Sequence, residues 1–213
     1  MQIGVLGSGM VAQTIGQKLV ELGHSVKLGT RDPRKLDEWL GKVGGGASVG
    51  GFADAAAFGA ILFNCTSGTG SLEALTSAGA ENLAGKVLID VANPLDFSHG
   101  MPPTLTVCNT DSLGEQIQRA FPDVKVVKAL NTMNAYLMVN PALLPGDHDV
   151  FICGNDAEAK ATVANILKNW FGWRSVIDMG DITAARGTEM LLPIWVRLWG
   201  VFQSPMFNFK IVR

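Results

Sequence analysis

The stretch "IGVLGSGMVA", Ile3 to Ala12, decides the fold. It opens with a short apolar run bounded by glycine, which is typical of a buried β-strand. The stretch "MVAQTIGQKLVELG" then has apolar residues three and four positions apart, which predicts a helix that ends at Gly23. A buried strand, a tight glycine turn and a helix in direct succession are the first part of a βαβ unit.

The turn itself follows the pattern GxGxxA. Gly7 permits the tight turn, Gly9 lets phosphates approach the backbone, and Ala12 permits close contact between helix and strand. The backbone N–H groups at the start of such a helix hold a pyrophosphate, and a tight turn without a ligand is the alternative. The context favours a dinucleotide site, whose predicted contacts here are Gly7, Ser8, Gly9, Met10 and Val11.

The rest of the chain repeats the alternation of strand and helix. Apolar runs such as "AILFNC", "KVLIDVANP" and "VKVVKAL" are separated by helical patterns. This predicts an α/β fold of the Rossmann type, with a doubly wound and mainly parallel sheet covered on both faces. No linker divides the chain, so we predict one NADP-binding domain over residues 1–213. Residues 1–180 would form its core, and residues 181–213 a C-terminal helix and tail packed on it.

Composition excludes several functional classes. The chain has 213 residues, 47% of them hydrophobic, and a net charge of −2. Such a chain is too apolar to stay disordered and lacks the basic surface of a nucleic-acid binder. Its three cysteines are far apart and form no CxxC motif, so we expect buried free thiols and no metal site. Without a leader or an uninterrupted apolar span, the sequence predicts a cytoplasmic protein that does not enter a membrane.

The second strand ends in "VKLGTRDPRK", Val26 to Lys35. Domains that bind NAD keep an acidic residue here for the ribose hydroxyls, and an acid would repel a 2′-phosphate. Thr30 and Arg31 can instead donate hydrogen bonds to a phosphate, and Arg34 and Lys35 add positive charge. The sequence therefore favours NADP(H). Asp32 could still serve a ribose, and the alternative for Arg31 is a surface pair with Asp32 or contact with solvent alone.

In an open parallel sheet, ligands lie beyond the carboxyl ends of the strands. These ends carry small or amide residues, and the contacts predicted for the rest of the cofactor are Thr66, Ser67, Ala92, Asn93, Pro94, Ala129 and Asn131. His99 and Asn131 are the candidates for a catalytic role. No strand end offers a His–Asp pair, a catalytic lysine with a carboxylate partner, or a cysteine beside a histidine. A site so poor in acids and bases fits hydride transfer, for which the cofactor supplies the chemistry.

These residues resemble a known family. The stretches "IGVLGSGMVAQTIGQKLVELGHSVKLGTRDP", "VLIDVANPL", "VVKALNTM" and "FNFKIVR" are similar to NADP oxidoreductases that depend on the deazaflavin coenzyme F-420. They are also similar to the reductase part of six-transmembrane ferric reductases. The resemblance implies NADPH binding through the glycine turn and the Thr30–Arg31 pair. It also implies hydride transfer to or from a deazaflavin or flavin-like ring, and a homodimer.

Two other functions fit the residues less well. Reductases of imines or keto acids need a large C-terminal helical domain, and few residues follow Gly180. A non-catalytic NADP-binding module that regulates a partner is the other alternative, which the sparse acid–base inventory permits. The tail, rich in Trp, Met and Phe, is expected to serve as core and subunit interface more than as an acceptor pocket.

Overall fold

The structure is a computed structural model that describes all 213 residues. Its strands are β1 (Gln2–Leu6), β2 (Ser25–Gly29), β3 (Ala47–Gly50), β4 (Ile61–Asn64), β5 (Val87–Asp90), β6 (Leu95–Asp96), β7 (Thr104–Leu105), β8 (Lys125–Ala129), β9 (Asp149–Gly154) and β10 (Ser175–Asp178). Its helices are α1 (Met10–Glu21), α2 (Asp37–Val43), α3 (Phe52–Phe58), α4 (Ser71–Ala78), α5 (Ala80–Leu83), α6 (Leu113–Ala120), α7 (Ala135–Val139), α8 (Ala157–Asn169), α9 (Ala185–Met190) and α10 (Leu192–Phe202).

Eight strands form one sheet in the order β10-β9-β8-β5-β4-β1-β2-β3, and β6 and β7 form a separate hairpin. Neighbouring strands of the sheet are parallel except β8 and β9, which are antiparallel. The predicted α/β fold with a mainly parallel sheet is confirmed. The strands β9 and β10 run against the others, so only the strands from β8 to β3 end at the edge where a ligand is expected.

The reversal at β9 follows from the connection that precedes it. A parallel neighbour needs a crossover to the other end of the sheet, usually through a helix. Between β8 and β9 the chain forms only the short helix α7, which packs on α1, and a single 3₁₀ turn at Pro141–Leu143. The chain therefore re-enters the sheet from the edge it has just left, and β9 runs back.

Both faces of the sheet are covered by helices. One buried cluster joins the strands to α1, α7 and α8 through residues such as Ile15, Leu137 and Val163. The other joins them to α3, α4, α6 and α9 through residues such as Leu75, Ile117 and Ala185. Adjacent residues of one strand face opposite clusters, which is why the strands are continuous apolar runs. Each fully buried Leu, Ile or Val contributes roughly 1.5–3 kcal/mol to stability.

The sequence pattern missed β3 and α3. The strand β3 is half-buried at the edge of the sheet, and α3 has the alanine-rich sequence "FADAAAF", without a stripe of large apolar residues. Small residues let α3 pack closely on the sheet instead. A Cβ at Gly4 would lie 2.3 Å from the carbonyl oxygen of Ala55, so the contact requires glycine in β1.

The tail turns back towards the ligand edge after α10. The backbone N–H of Asp149 donates to the Phe209 carbonyl oxygen at 3.0 Å, and the N–H of Ile211 donates to the Asp149 carboxylate at 2.6 Å. Asn134 Nδ2 donates to the Pro205 carbonyl oxygen at 2.6 Å. The division into residues 1–180 and 181–213 stays a prediction. No helix of the chain is long and apolar enough to cross a membrane.

The N-cap of α6 is Ser112, whose side chain accepts the hydrogen bond from the Glu115 N–H, and the neighbouring Asp111 pairs with Arg119. The expectation that the three cysteines are buried needs correction. All three cysteines are free, but only Cys153 is buried, and Cys108 is exposed. Cys108 follows the β6–β7 hairpin, outside any apolar run, so burial could not be inferred from the strand pattern.

Candidate cofactor site

The backbone of the turn between β1 and α1 is open to contact a ligand. Gly7 has φ +135, and its N–H donates to the Gly29 carbonyl oxygen at 2.8 Å, which fixes the turn to the end of β2. Gly9 is the extended N-cap of α1, and a Cβ placed there would meet no atom within 4 Å. The first turn of α1 carries no acidic residue, so its N–H groups and its dipole are available to an anion.

A cavity of about 230 Å³ adjoins this turn. Half of the sequence-predicted cofactor contacts line it, namely Gly7, Ser8, Gly9, Thr30, Arg31, Lys35, Thr66 and Ser67. The other half, Met10, Val11, Arg34, Ala92, Asn93, Pro94, Ala129 and Asn131, are not among its lining residues. Two chain segments far apart in sequence, residues 30–35 and 65–74, thus meet the glycine turn in one cleft.

The positive end of the cavity is formed by Arg31 and Lys35, which are both exposed. Arg34 lies to one side, where its Nε contacts Asp32 Oδ1 at 3.1 Å. Asp32 also accepts the Arg34 backbone N–H and so caps the 3₁₀ turn at Pro33–Leu36. The acid that could have served a ribose is therefore paired with a cation next to it.

Arg31 has a partner that sequence reasoning did not identify. Its Nη1 lies 4.0 Å from Glu73 Oε1, and the two side chains are 81% and 72% exposed. Glu73 lies in the first turn of α4 and lines the same cavity. The signal in the sequence was an acid in the helix that follows "CTSGTG", but nothing in the sequence indicated that it faces a residue 42 positions earlier.

The segments beyond β4, β5 and β8 also meet. Asn93 Nδ2 donates to the Asn131 carbonyl oxygen at 2.8 Å, and Asn131 Nδ2 donates to Asn93 Oδ1 at 2.9 Å. A Cβ at Gly68 would lie 2.0 Å from the Asn93 carbonyl oxygen, so the segment after β4 lies directly against the one after β5. Leu130 is buried with φ +64, a conformation that strains a side chain and tends to occur at functional sites.

Thr66 and His99 differ in what they offer a ligand. The hydroxyl of Thr66 donates to Asn64 Oδ1 at 2.7 Å and lies 2.7 Å from Ser71 Oγ, so it is used inside the protein. His99 is exposed on the loop between β6 and β7, the hairpin that follows β5. Its role in catalysis stays a prediction. No group of three or more His, Cys, Asp or Glu side chains is placed to hold a metal ion.

A buried lysine near the ligand edge has carboxylate partners that the sequence did not indicate. Lys128 of β8 is fully buried, and its Nζ lies 2.8 Å from both Asp90 Oδ2 and Glu189 Oε1. The desolvation that lowers its pKa is outweighed by the two carboxylates, so the pKa of Lys128 is raised and the group is charged. A lysine with carboxylate partners is thus present at a strand end. The sequence could not show this, because Asp90 and Glu189 are distant in the chain.

The comparisons with known proteins agree with this geometry. Residues 2–94 match the family described as NADP oxidoreductase, coenzyme F-420-dependent. A solved structure from Arthrobacter sp. FB24, described as a candidate F-420-dependent NADP reductase, is 57% identical, with full coverage of both chains and a TM-score of 0.96. The chain belongs to the F-420-dependent NADP oxidoreductase family. The resemblance predicted from the sequence is confirmed.

Two curated relatives of the chain differ in length and in the reaction that their names describe. The metalloreductase STEAP3 of Rattus norvegicus is 32% identical over 199 residues, which are 91% of this chain and 38% of the relative. The F-420-dependent NADP reductase of Methanocaldococcus jannaschii is 29% identical over 134 residues, which are 62% of this chain and 59% of the relative. The chain thus spans well under half of the metalloreductase. Family membership places it among the NADP-dependent oxidoreductases.

Proposed function

We propose that the protein transfers a hydride between NADP(H) and a deazaflavin or flavin-type acceptor. The observation that carries the proposal is the cleft in which the open backbone of Gly9 and the cations Arg31 and Lys35 face one cavity. The phosphates of NADP have the charge that suits both ends of this cleft. The family and its F-420-dependent relatives support the acceptor class.

The residues present fit NADP(H). The open space over Gly9 would take the pyrophosphate against the N-terminus of α1, as the absence of a side chain there allows. Thr30, Arg31 and Lys35 would hold the 2′-phosphate through charge-assisted hydrogen bonds. The acids nearby are Asp32, which Arg34 neutralises, and Glu73, which is 4.0 Å from Arg31. To bind the 2′-phosphate, Arg31 would have to break its contact with Glu73 or contact the carboxylate and the phosphate together.

The chemistry would come from the cofactor, which supplies the hydride when bound. The chain's own contribution is to orient the nicotinamide. The paired amides of Asn93 and Asn131, with buried Ala92 and Pro94 beside them, form the wall against which the ring would lie. These groups are neutral, and they fit a reaction that needs a fixed distance between two rings more than a proton transfer from the protein.

We also propose a homodimer. The helix α10 carries four apolar side chains that are each more than two fifths exposed, namely Ile194, Trp199, Val201 and Phe202. Apolar surface of this kind on one helix is typical of a protein interface. A second copy of the chain is the partner that the family resemblance implies.

The test is NADPH oxidation by the purified protein, with coenzyme F-420, FMN, FAD and a ferric chelate as separate acceptors. Each assay is repeated with NADH. Rapid and NADPH-selective reduction of F-420 or a flavin is the expected result. NADPH binding without turnover on any acceptor would contradict the proposal and favour the non-catalytic module. Equal rates with NADH would contradict the assignment of the 2′-phosphate to Arg31.

A further inference from the structure

The buried cation Lys128 makes three contacts, and each joins a different part of the molecule. Its Nζ donates to Asp90 Oδ2 at 2.8 Å and to Glu189 at 2.8 Å, and to the Ala92 carbonyl oxygen at 2.5 Å. Asp90 is the last residue of β5, Ala92 follows it, and Glu189 belongs to α9 in the C-terminal tail. One side chain thus connects the middle of the sheet, the candidate nicotinamide wall and the tail.

Both backbone groups of Ala92, its N–H and its carbonyl, are hydrogen-bonded to this cluster. Its N–H donates to Asp90 Oδ1 at 3.3 Å, while its carbonyl oxygen accepts from Lys128. The next residue, Asn93, makes the reciprocal pair with Asn131. The backbone of the wall at Ala92 is therefore held by two buried charges, and it has little freedom to shift while they stay paired.

Glu189 holds the lysine in place from the other side. Its carboxylate also accepts the backbone N–H groups of Leu113 at 2.9 Å and Gly114 at 3.0 Å, at the start of α6. All its partners are donors, so it has to act as an acceptor at both oxygens. A glutamine would turn an NH₂ group towards a backbone N–H or towards the ammonium of Lys128.

We propose that Lys128 is a positioning residue for the nicotinamide end of the cofactor, and that Glu189 acts through it. The proposal rests on the function proposed above. Through this contact the tail helix α9 takes part in setting the position of the Ala92 carbonyl. Both side chains are almost fully buried, so they would act on the cofactor through the wall and not by touching it.

An ion pair between α9 and α6 provides a matched control. Arg186 of α9 donates through Nε to Glu115 Oε2 of α6 at 2.8 Å. Glu115 is otherwise hydrogen-bonded to Ser112, and neither Arg186 nor Glu115 forms a hydrogen bond or ion pair with Lys128 or Ala92. Loss of this pair should loosen α9 from α6 and leave the wall in place. A variant that lacks the pair therefore shows the effect of a purely structural change.

The experiment compares Glu189→Gln with Arg186→Gln. Lys128→Met is avoided, because it would leave two buried carboxylates without a counter-charge and would disrupt folding. Melting temperature, NADPH affinity and steady-state kinetics are measured for both variants. Crystal structures of the cofactor-free variants give the position of Ala92, a readout that does not depend on turnover.

We expect both variants to melt at lower temperature. Glu189→Gln alone should displace the Ala92 carbonyl and lower kcat by about tenfold or more, since a misplacement of ~1 Å can cost ~100-fold. Its NADPH affinity should stay within about twofold, because the phosphate contacts are distant from the change. An equal loss of kcat in both variants, or an unmoved Ala92 in Glu189→Gln, would overturn the proposal. A wild-type protein without turnover would contradict the proposed function, and the position of Ala92 would still test the inference.

Discussion

Arg31 is the residue on which the proposed choice of cofactor depends. The sequence indicated its position at the end of β2, because the order of strand, turn and helix is local. Its partner could not be inferred, since Glu73 comes from a later βα unit. Asp32, the neighbouring acid, is bound to Arg34 instead. A contact between neighbours in sequence can be predicted from spacing, but a contact across the cleft depends on how the strands are ordered in the sheet.

Arg31→Ala should weaken NADPH binding and leave NADH binding nearly unchanged. The side chain is 81% exposed, so solvent screening reduces the lost contact to about 1 kcal/mol, below the usual value for a charge-assisted hydrogen bond. Titration of Arg31→Ala and of a control variant with NADPH and NADH, monitored by nucleotide fluorescence, measures the change in affinity. Lys42→Ala is the control, because Lys42 is paired with Glu38 and does not line the cavity. Equal losses for NADPH and NADH in Arg31→Ala would contradict the 2′-phosphate contact.

Gly9→Val should abolish binding of both nucleotides in a folded protein. The new side chain enters open space, so packing is not disturbed, but that space is where the pyrophosphate would approach the N-terminus of α1. Circular dichroism checks the fold, and calorimetric titration measures binding. Gly41→Val, another change into open space but on α2, should keep its affinity. Normal NADPH affinity in folded Gly9→Val would show that the phosphates lie elsewhere.

Elements with strong local patterns were predictable from the sequence. The strands β1 and β4 contain continuous apolar runs, and α1 has apolar residues on one face and is followed by Gly23. The helix α3 was missed because its buried residues are alanines, whose burial depends on glycine in the strand beneath. The direction of β9 also could not be predicted from the apolar pattern of the sequence. A strand's sequence shows that both its faces are buried, and only the preceding connection determines its direction.

Gly68→Ala should disturb the place where the segments after β4 and β5 meet. The added Cβ would lie 2.0 Å from the Asn93 carbonyl oxygen, and a backbone atom cannot move aside without shifting the wall. We expect a loss of roughly 1–3 kcal/mol in stability, typical of overpacking, together with slower hydride transfer. Urea unfolding and turnover assays measure the two effects.

Gly70→Ala provides the comparison for this element. Its Cβ would lie 3.2 Å from Ser67 Oγ, a hydroxyl that can rotate away. This variant should stay close to wild type in both assays. If Gly68→Ala were as stable and as active as Gly70→Ala, the close approach of the two segments would not matter for the site.

At the scale of the whole molecule, carboxylates join the tail to the domain. The Arg186 guanidinium hydrogen-bonded to Glu115 holds the pKa of that carboxyl below its usual value. Burial raises the pKa of Asp149, but the Ile211 N–H and the nearby Ser175 and Lys210 outweigh this and lower it. Such contacts stabilise the fold while the acids are ionised. They were not foreseeable from the sequence, because each pairs a strand or α6 with a tail residue far along the chain.

The tail should therefore loosen in acid. Because the pKa values of Glu115 and Asp149 are lower in the folded than in the unfolded chain, their stabilisation is complete above about pH 5 and is lost as the pH falls below about 4. Urea unfolding from pH 7 to pH 3 measures the loss. Asp149→Asn should be less stable than wild type at pH 7 and should lose less on acidification. Parallel pH profiles for the two proteins would rule out Asp149 as a contributor.

The apolar surface of α10 leads to a prediction about assembly. Trp199 is 42% exposed, and its ring lies 5.7 Å from that of Trp195, which stacks on Phe207 of the tail. If a second copy covers this surface, Trp199→Glu buries a charge at the interface and should yield monomers, since an unpaired buried charge is costly. Light scattering with size-exclusion chromatography measures the mass. Leu22→Glu, at an equally exposed apolar residue after α1, should remain dimeric. A wild-type monomer at all concentrations would contradict the dimer, and a dimeric Trp199→Glu would mean that another surface forms it.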